Sequence, residues 1–220
     1  KYEIRIYDNN SKKNYLKVLS KFKDLKIIYK KHSKNIGQSK NFKLLQKDAK
    51  MDWFCIISDD DYLENNHFSS LKDLVHNFPK SYFACSHTKI FDQKKFFKSP
   101  SMKFKKWNKA CFYYPSPKII WDMYFNHFVS TGCIFKKSIL KKIYYDENCD
   151  DRIFLSELSS LFPFCTSQKS TAVLTISSNT FSARGGSRSD LNFKSLIDSL
   201  FRKIDNAMIL HDKGDKKSLN

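Results

Sequence analysis

The chain has few of the residues that bend or break a backbone, with five glycines and five prolines in 220 residues. That scarcity excludes a collagen-like, low-complexity or linker-rich protein. No run of about 18 apolar residues occurs, which excludes a transmembrane helix of ordinary length. The six cysteines, Cys55, Cys85, Cys111, Cys133, Cys149 and Cys165, include no CxxC pair, and the six histidines are dispersed. Neither a disulfide framework nor a zinc site is encoded, and reduced thiols are expected. Arginine is the scarce cation: Arg5, Arg152, Arg184, Arg188 and Arg202 are five among 40 basic residues. Base-specific reading of DNA favours the bidentate guanidinium, so no specific nucleic-acid partner is expected. The opening "KYEIRIYDNN" does not have the pattern of a signal peptide.

What is present argues for a packed protein. Hydrophobic residues make up 41% and aromatics 15%, enough for a sizeable core and a single domain. A net charge of +18 calls for an anionic partner or surface, whether nucleic acid, phospholipid or phosphorylated substrate. It is equally what a solvated, lysine-rich surface gives.

Apolar periodicity sets the elements. Tyr2 to Tyr7 alternates as a strand and breaks at Asp8-Asn9-Asn10-Ser11. Tyr15, Leu19 and Phe22 have helical spacing, and Leu25 to Tyr29 reads as a second strand. Asn35 and Gly37 form a turn, followed by a helix with Phe42, Leu45 and Ala49 on one face. Trp53 to Ile57 is strand-like, and Phe68, Leu71, Leu74 and Phe78 mark a helix that Pro79 closes. Tyr82 to Ser86 resumes as a strand. Residues 91–118 read as a long, basic, aromatic loop. Cys133 to Phe135 is a strand, residues 137–143 a short helix, and Phe154, Leu158 and Leu161 face inward from another. Thr171 to Ser177 is β-like, and a last helix starts near Asp190. Alternation of this kind predicts an α/β, Rossmann-type, mainly parallel sheet with helices on both faces.

The densest chemistry lies in "WFCIISDDDYLE", an apolar segment ending in Asp59, Asp60 and Asp61. Open α/β sheets present ligand sites at the carboxyl ends of strands. Two carboxylates about 5 Å apart repel by roughly 3 kcal/mol at an effective dielectric near 20, and a divalent cation reverses that sign. Mg2+ or Mn2+ suits one or two carboxylates, with water and substrate phosphates filling the other positions. A solvated turn or helix N-cap uses the same residues.

"YDNNS", "NIGQSKN", "ISDDDYLE" and "DENCDDRIFLSEL" follow one another in an order that resembles the family-two glycosyltransferases of the GT-A fold, over roughly residues 2–165. The resemblance implies an inverting enzyme that moves a sugar from a nucleotide-diphosphate donor to an acceptor hydroxyl. It implies that Asp8 contacts the nucleotide, with Asn35, Gly37 and Asn41 at the turn and helix beside it. It places the metal on Asp59, Asp60 and Asp61. Ser58 stands where the common D-x-D-D form has its first acid, so the assignment within the triplet stays open, Asp60 being the favoured ligand and Asp59 facing the ribose. Asp151, beside Asp150, matches the catalytic base. An Asx-turn accounts for Asp8 equally well, while for Asp150-Asp151 a helix N-cap and dipole partner is the less favoured alternative.

In "SARGGSRSD", Arg184 and Arg188 are suited to closing over a diphosphate, and the segment also has the composition of a surface loop. Trp107, Tyr113, Tyr114 and Trp121 suit an acceptor cleft or ordinary core. The resemblance divides the domain into a nucleotide-sugar half at 1–90, an acceptor and catalytic half at 91–189, and a C-terminal helix at 190–220. Surface polysaccharide or a lipid-linked glycan is the expected acceptor, with the enzyme cytoplasmic or peripheral at the inner face of the cell membrane. The alternative from another class is a basic, non-enzymatic binder of nucleic acid or membrane surface. Family members open with a strand for which this chain has no counterpart, since Lys1 begins at the second. A sheet lacking a central strand leaves ladder groups unpaired, so poor stability and weak activity are expected of residues 1–220 alone.

Overall fold

The structure, a computed structural model of the chain, describes residues 2–92, 95–98, 109–125, 128–141 and 151–176, together with 201–202 and 205. Strands β1 (Ile4–Asp8) and β2 (Ile27–Lys31) pair in parallel, Ile4 opposite Ile27 and Asp8 opposite Lys31. Between them the expected helix is a single turn, α1 (Leu16–Leu19), with no buried residue. A second sheet of seven strands has β3 (Trp53–Phe54), β8 (Cys133–Lys136), β5 (Phe83–Asp92), β9 (Phe164–Ile176) and β4 (Tyr62–Leu63) side by side. On it β6 (Lys95–Lys98) pairs with β5, and β7 (Cys111–Tyr113) with β9.

The two longest pairings, β1 with β2 and β5 with β9, are parallel, and shorter antiparallel pairings extend the second sheet. Helices α2 (Gln38–Asp48), α3 (His67–Asn77), α4 (Pro117–Phe125) and α5 (Asp151–Leu161) complete the α/β fold expected from the sequence.

Strand alternation decides what each face buries. Phe83, Cys85, Cys133, Phe135 and Phe164 point to one side, against Ile120 and Met123 of α4 and Phe154 and Leu158 of α5. Their neighbours Ala84, Ile134 and Cys165 point to the other, against Leu71 and Leu74 of α3. Helices therefore cover both faces. On the α4–α5 side the register aligns Phe54 with Phe135, Phe135 with Phe83, Phe83 with Phe164 and Phe164 with Tyr113. The result is one aromatic ladder across five strands, its central rings 4.7 Å apart and stacked. Cross-strand aromatic pairs each contribute up to about 1 kcal/mol beyond simple burial.

Three expectations change here. The apolar run from Trp53 to Ile57 pairs as a strand only at Trp53 and Phe54, antiparallel to β8. Residues 91–118 are less irregular than composition suggests, since β5 runs on to Asp92 and β6, β7 and the start of α4 fall within them. Tyr113 belongs to the ladder rather than to a cleft, Tyr114 is exposed, and Trp107 lies outside the described residues, as does the side chain of Trp121.

Among the described residues five cysteines are free thiols, and burial pushes Cys55 up to about 12, which keeps it inert. Among the described residues no helix is long and apolar enough to cross a membrane. The helix expected from Asp190 lies outside them, apart from residues 201–202 and 205. Among them, too, β1 pairs only with β2 and β3 only with β8, so the two sheets are not hydrogen-bonded to each other. Helix α2 spans the junction: Phe42 joins the main core, while Asn41 donates from Nδ2 to the Tyr7 carbonyl, 2.9 Å.

Candidate active site

The first loop of the site leaves β1 at Asp8, which is buried. One carboxylate oxygen accepts from the Ser11 amide at 2.7 Å, and the other from the Ser11 hydroxyl at 2.9 Å and the Tyr29 phenol at 2.7 Å. Asn10 takes the left-handed conformation at φ 66°, which closes the turn. Burial works to raise the Asp8 carboxyl, but these donors hold it below the usual carboxylate range. The same bond to Asp8 lifts the Tyr29 phenol to about 12.

The second loop, residues 35–37, is tied to the first by amides. Asn9 donates from Nδ2 to Asn35 Oδ1 at 2.9 Å and accepts from the Ile36 amide at 2.8 Å. Asn35 Oδ1 also accepts from the Gly37 amide at 2.9 Å. Gly37 sits at φ 84°, ψ 157°, a conformation open essentially to glycine alone, and starts α2. One turn on, Asn41 Oδ1 meets His32 Nε2 at 2.9 Å, and the Tyr7 phenol reaches Asp48. The predicted residues Asp8, Asn35, Gly37 and Asn41 thus belong to one neighbourhood. Asn9, Tyr29 and His32 complete it, although in the sequence they read only as turn filler and strand.

The acidic triplet follows β3. Asp59 and Asp60 form an exposed turn, and desolvation, with the charge of Asp59 alongside, raises the Asp60 carboxyl. Asp61 turns inward. Its Oδ2 accepts from the Thr131 hydroxyl at 2.6 Å and its Oδ1 from the Thr175 amide of β9 at 3.0 Å. Burial pushes its carboxyl up to about 6, against the pull of those two donors and with help from the charges of Asp60 and Asp151. Asp151 is the first residue of α5, where the helix dipole favours a carboxylate. Its Oδ2 accepts from both the amide and the hydroxyl of Ser130, each at 2.9 Å. Ser130 and Thr131 were not singled out by sequence, because three small residues before a strand carry no charge pattern.

Among the described residues no group of three or more His, Cys, Asp or Glu forms a ready-made metal cage. The exposed oxygens of Asp59 and Asp60 nonetheless fit a hard divalent cation of the kind that keeps waters and phosphate ligands. Both oxygens of Asp61 already have donors. Asp150, Arg184 and Arg188 lie outside the described residues.

A family model described as glycosyl transferase family 2 matches residues 1–144. The chain belongs to glycosyl transferase family 2. The matched span contains the amide loops and the acidic triplet, and Asp151 lies just beyond it. Solved structures similar to this family-2 chain include S. aureus TarS 1-349 in complex with UDP-GlcNAc, 15% identical. Its TM-score is 0.70, over 94% of this chain and 57% of that one. S. aureus TarS 1-349 in complex with UDP is 17% identical, with a TM-score of 0.63 over 80% of this chain and 52% of that one. The chain thus spans about half the length of the TarS 1-349 chains, and at these identities the likeness is one of fold. Comparison with curated proteins gives no match.

Proposed function

We propose that this family-2 chain carries the site of an inverting glycosyltransferase, which moves a sugar from a nucleotide-diphosphate donor to an acceptor hydroxyl. The observation that carries the reading is the meeting of two distant acidic segments at one turn: Asp61 and Asp151 bond to the adjacent residues Thr131 and Ser130. A displacement at the anomeric carbon needs a base on the acceptor side and charge neutralisation on the diphosphate side.

Asp151 accepts the proton of the attacking hydroxyl as its oxygen bonds to the anomeric carbon and the bond to the diphosphate oxygen breaks. Asp59 and Asp60 would hold Mn2+ or Mg2+, which would supply charge neutralisation for a diphosphate leaving group. Asp61 anchors their turn to β9. The amide loops around Asp8, Asn9 and Asn35 receive the nucleotide, and Arg184 and Arg188 grip the diphosphate. A UDP-linked sugar is the donor class to try first, since solved TarS structures hold UDP and UDP-GlcNAc. With a net charge of +18, the enzyme works at the inner face of the cell membrane on a lipid-linked or polysaccharide acceptor.

The test is nucleoside-diphosphate release from a panel of nucleotide sugars with Mn2+ present. Release is expected with one donor and to fall at least about 100-fold in Asp151→Asn. In parallel, Mn2+ plus UDP raises the melting temperature, and Asp60→Ala removes the rise. Absence of both release and melting shift in the unmutated protein refutes the reading.

A further inference from the structure

The turn Ser130–Gly132 lies on neither acidic segment, yet it bonds to both. It is buried, with Ser130 and Thr131 only 5% and 2% exposed. Its own position is fixed from several sides. The Gly132 amide donates to the Val129 carbonyl at 3.0 Å, and the Gly132 carbonyl accepts from the Ser86 hydroxyl at 3.1 Å. A Cβ on Gly132 would stand 2.9 Å from the Ser86 carbonyl oxygen, so the turn lies flat against β5. Behind it Phe128 packs against His87 with ring centroids 5.1 Å apart, and Cys133 donates its thiol to the Val129 carbonyl at 3.3 Å.

From this base the two adjacent residues serve opposite partners. Ser130 directs two donors onto one oxygen of Asp151, which fixes the plane of that carboxyl. Thr131 directs a 2.6 Å bond onto Asp61, and Asp61 holds the end of the acidic triplet to β9. Because Ser130 and Thr131 are consecutive, one short turn holds both carboxylates.

We propose that Ser130 and Thr131 are positioning residues with divided duties: Thr131 sets the donor and metal side through Asp61, and Ser130 sets the base through Asp151. This rests on the transferase reading above. Removing a hydrogen-bond partner of a ligand or catalytic group typically lowers affinity or rate by about 10- to 100-fold. The duties being separate, the losses fall on different constants.

The experiment uses the full 220-residue chain with the nucleotide sugar that the donor panel identifies. Thr131→Val is expected to raise the donor KM at least about tenfold and to weaken the melting shift with Mn2+ plus UDP, with kcat changed less than threefold. Ser130→Ala is expected to lower kcat about tenfold with donor KM unchanged. Thr131→Ser restores the hydroxyl and the KM. Ser159→Ala, which removes a buried hydroxyl bonded within α5 at 2.8 Å, controls for lost stability alone and moves neither constant. Should Thr131→Val not fold, a near-native KM in Thr131→Ser together with the kcat loss in Ser130→Ala supports the division. The proposal is overturned if Ser130→Ala and Thr131→Val change the same constant, if either matches Ser159→Ala, or if Thr131→Ser fails to restore KM. An unmutated chain that neither releases nor binds nucleoside diphosphate removes the transferase reading, and this proposal with it. An active chain with unsplit variants removes the proposal alone.

Discussion

Replacing His67 with phenylalanine should change how stability depends on pH. His67 opens α3, is fully buried, and shares a 2.8 Å hydrogen bond between Nδ1 and the Thr171 hydroxyl. Burial lowers its titration from 6.5 to about 4, so the folded protein keeps the ring neutral where an unfolded chain protonates it. A depressed folded value means stability that is whole above 6.5 and lost as pH falls towards 4. At about 1.4 kcal/mol per pH unit, that loss comes to about 3 kcal/mol.

Asp61 runs the other way. Its folded value of about 6 lies above the usual 3.8, so its contribution is whole below 3.8 and is lost as pH rises to about 6. The two nearly cancel between pH 4 and 6, and difference curves separate them. Urea midpoints measured from pH 3.5 to 7.5 should show the advantage of the unmutated protein over His67→Phe growing by about 3 kcal/mol between pH 4 and 6.5. Its advantage over Asp61→Asn should shrink by about 2–3 kcal/mol between pH 4 and 6. Leaving the Thr171 hydroxyl without its histidine costs about 1–3 kcal/mol at every pH, an offset rather than a slope. A His67→Phe difference curve that is flat across this range refutes the argument.

Gly132→Ala sets a Cβ against the Ser86 backbone oxygen and should cost about 1–3 kcal/mol in denaturant midpoint, with loss of transfer activity. Gly37→Ala meets no atom within 4 Å, so its similar cost of about 1–3 kcal/mol comes from backbone strain at φ 84°; unchanged stability would contradict it. If the amide loops receive a nucleotide as proposed, Asn9→Ala unties them and weakens UDP binding in calorimetry, while leaving the pH dependence of folding intact.

The helices α2, α3 and α5 were legible because their apolar spacing is local, and so were the strands at Tyr82 to Ser86 and Cys133 to Phe135. The reach of β9 back to Phe164 was not, since Gln168 and Lys169 interrupt the apolar pattern while pairing with β5 resumes beyond them through an irregular register near His87. Within the site the carboxylates and amides declared themselves by type. Their supports did not: Thr131, Ser130 and Thr175 are ordinary polar residues whose importance comes from contacts 21 to 114 positions away. Asp8 shows the converse, a residue conspicuous in sequence whose carboxylate is filled by its own turn and by Tyr29.

The bond from the Thr175 amide to Asp61 also sets an order of events during synthesis. The acidic turn follows a strand of only two paired residues; Thr131 reaches Asp61 from 70 residues on, and the amide that ties it to β9 emerges 114 residues later. At about 5–20 residues per second, a ribosome leaves that turn without its anchor for about 6–23 seconds. During that interval no bond ties the acidic turn to β9, so synthesis of the carboxyl end of β9 is the step at which a nascent chain fixes the direction of the Asp61 carboxylate.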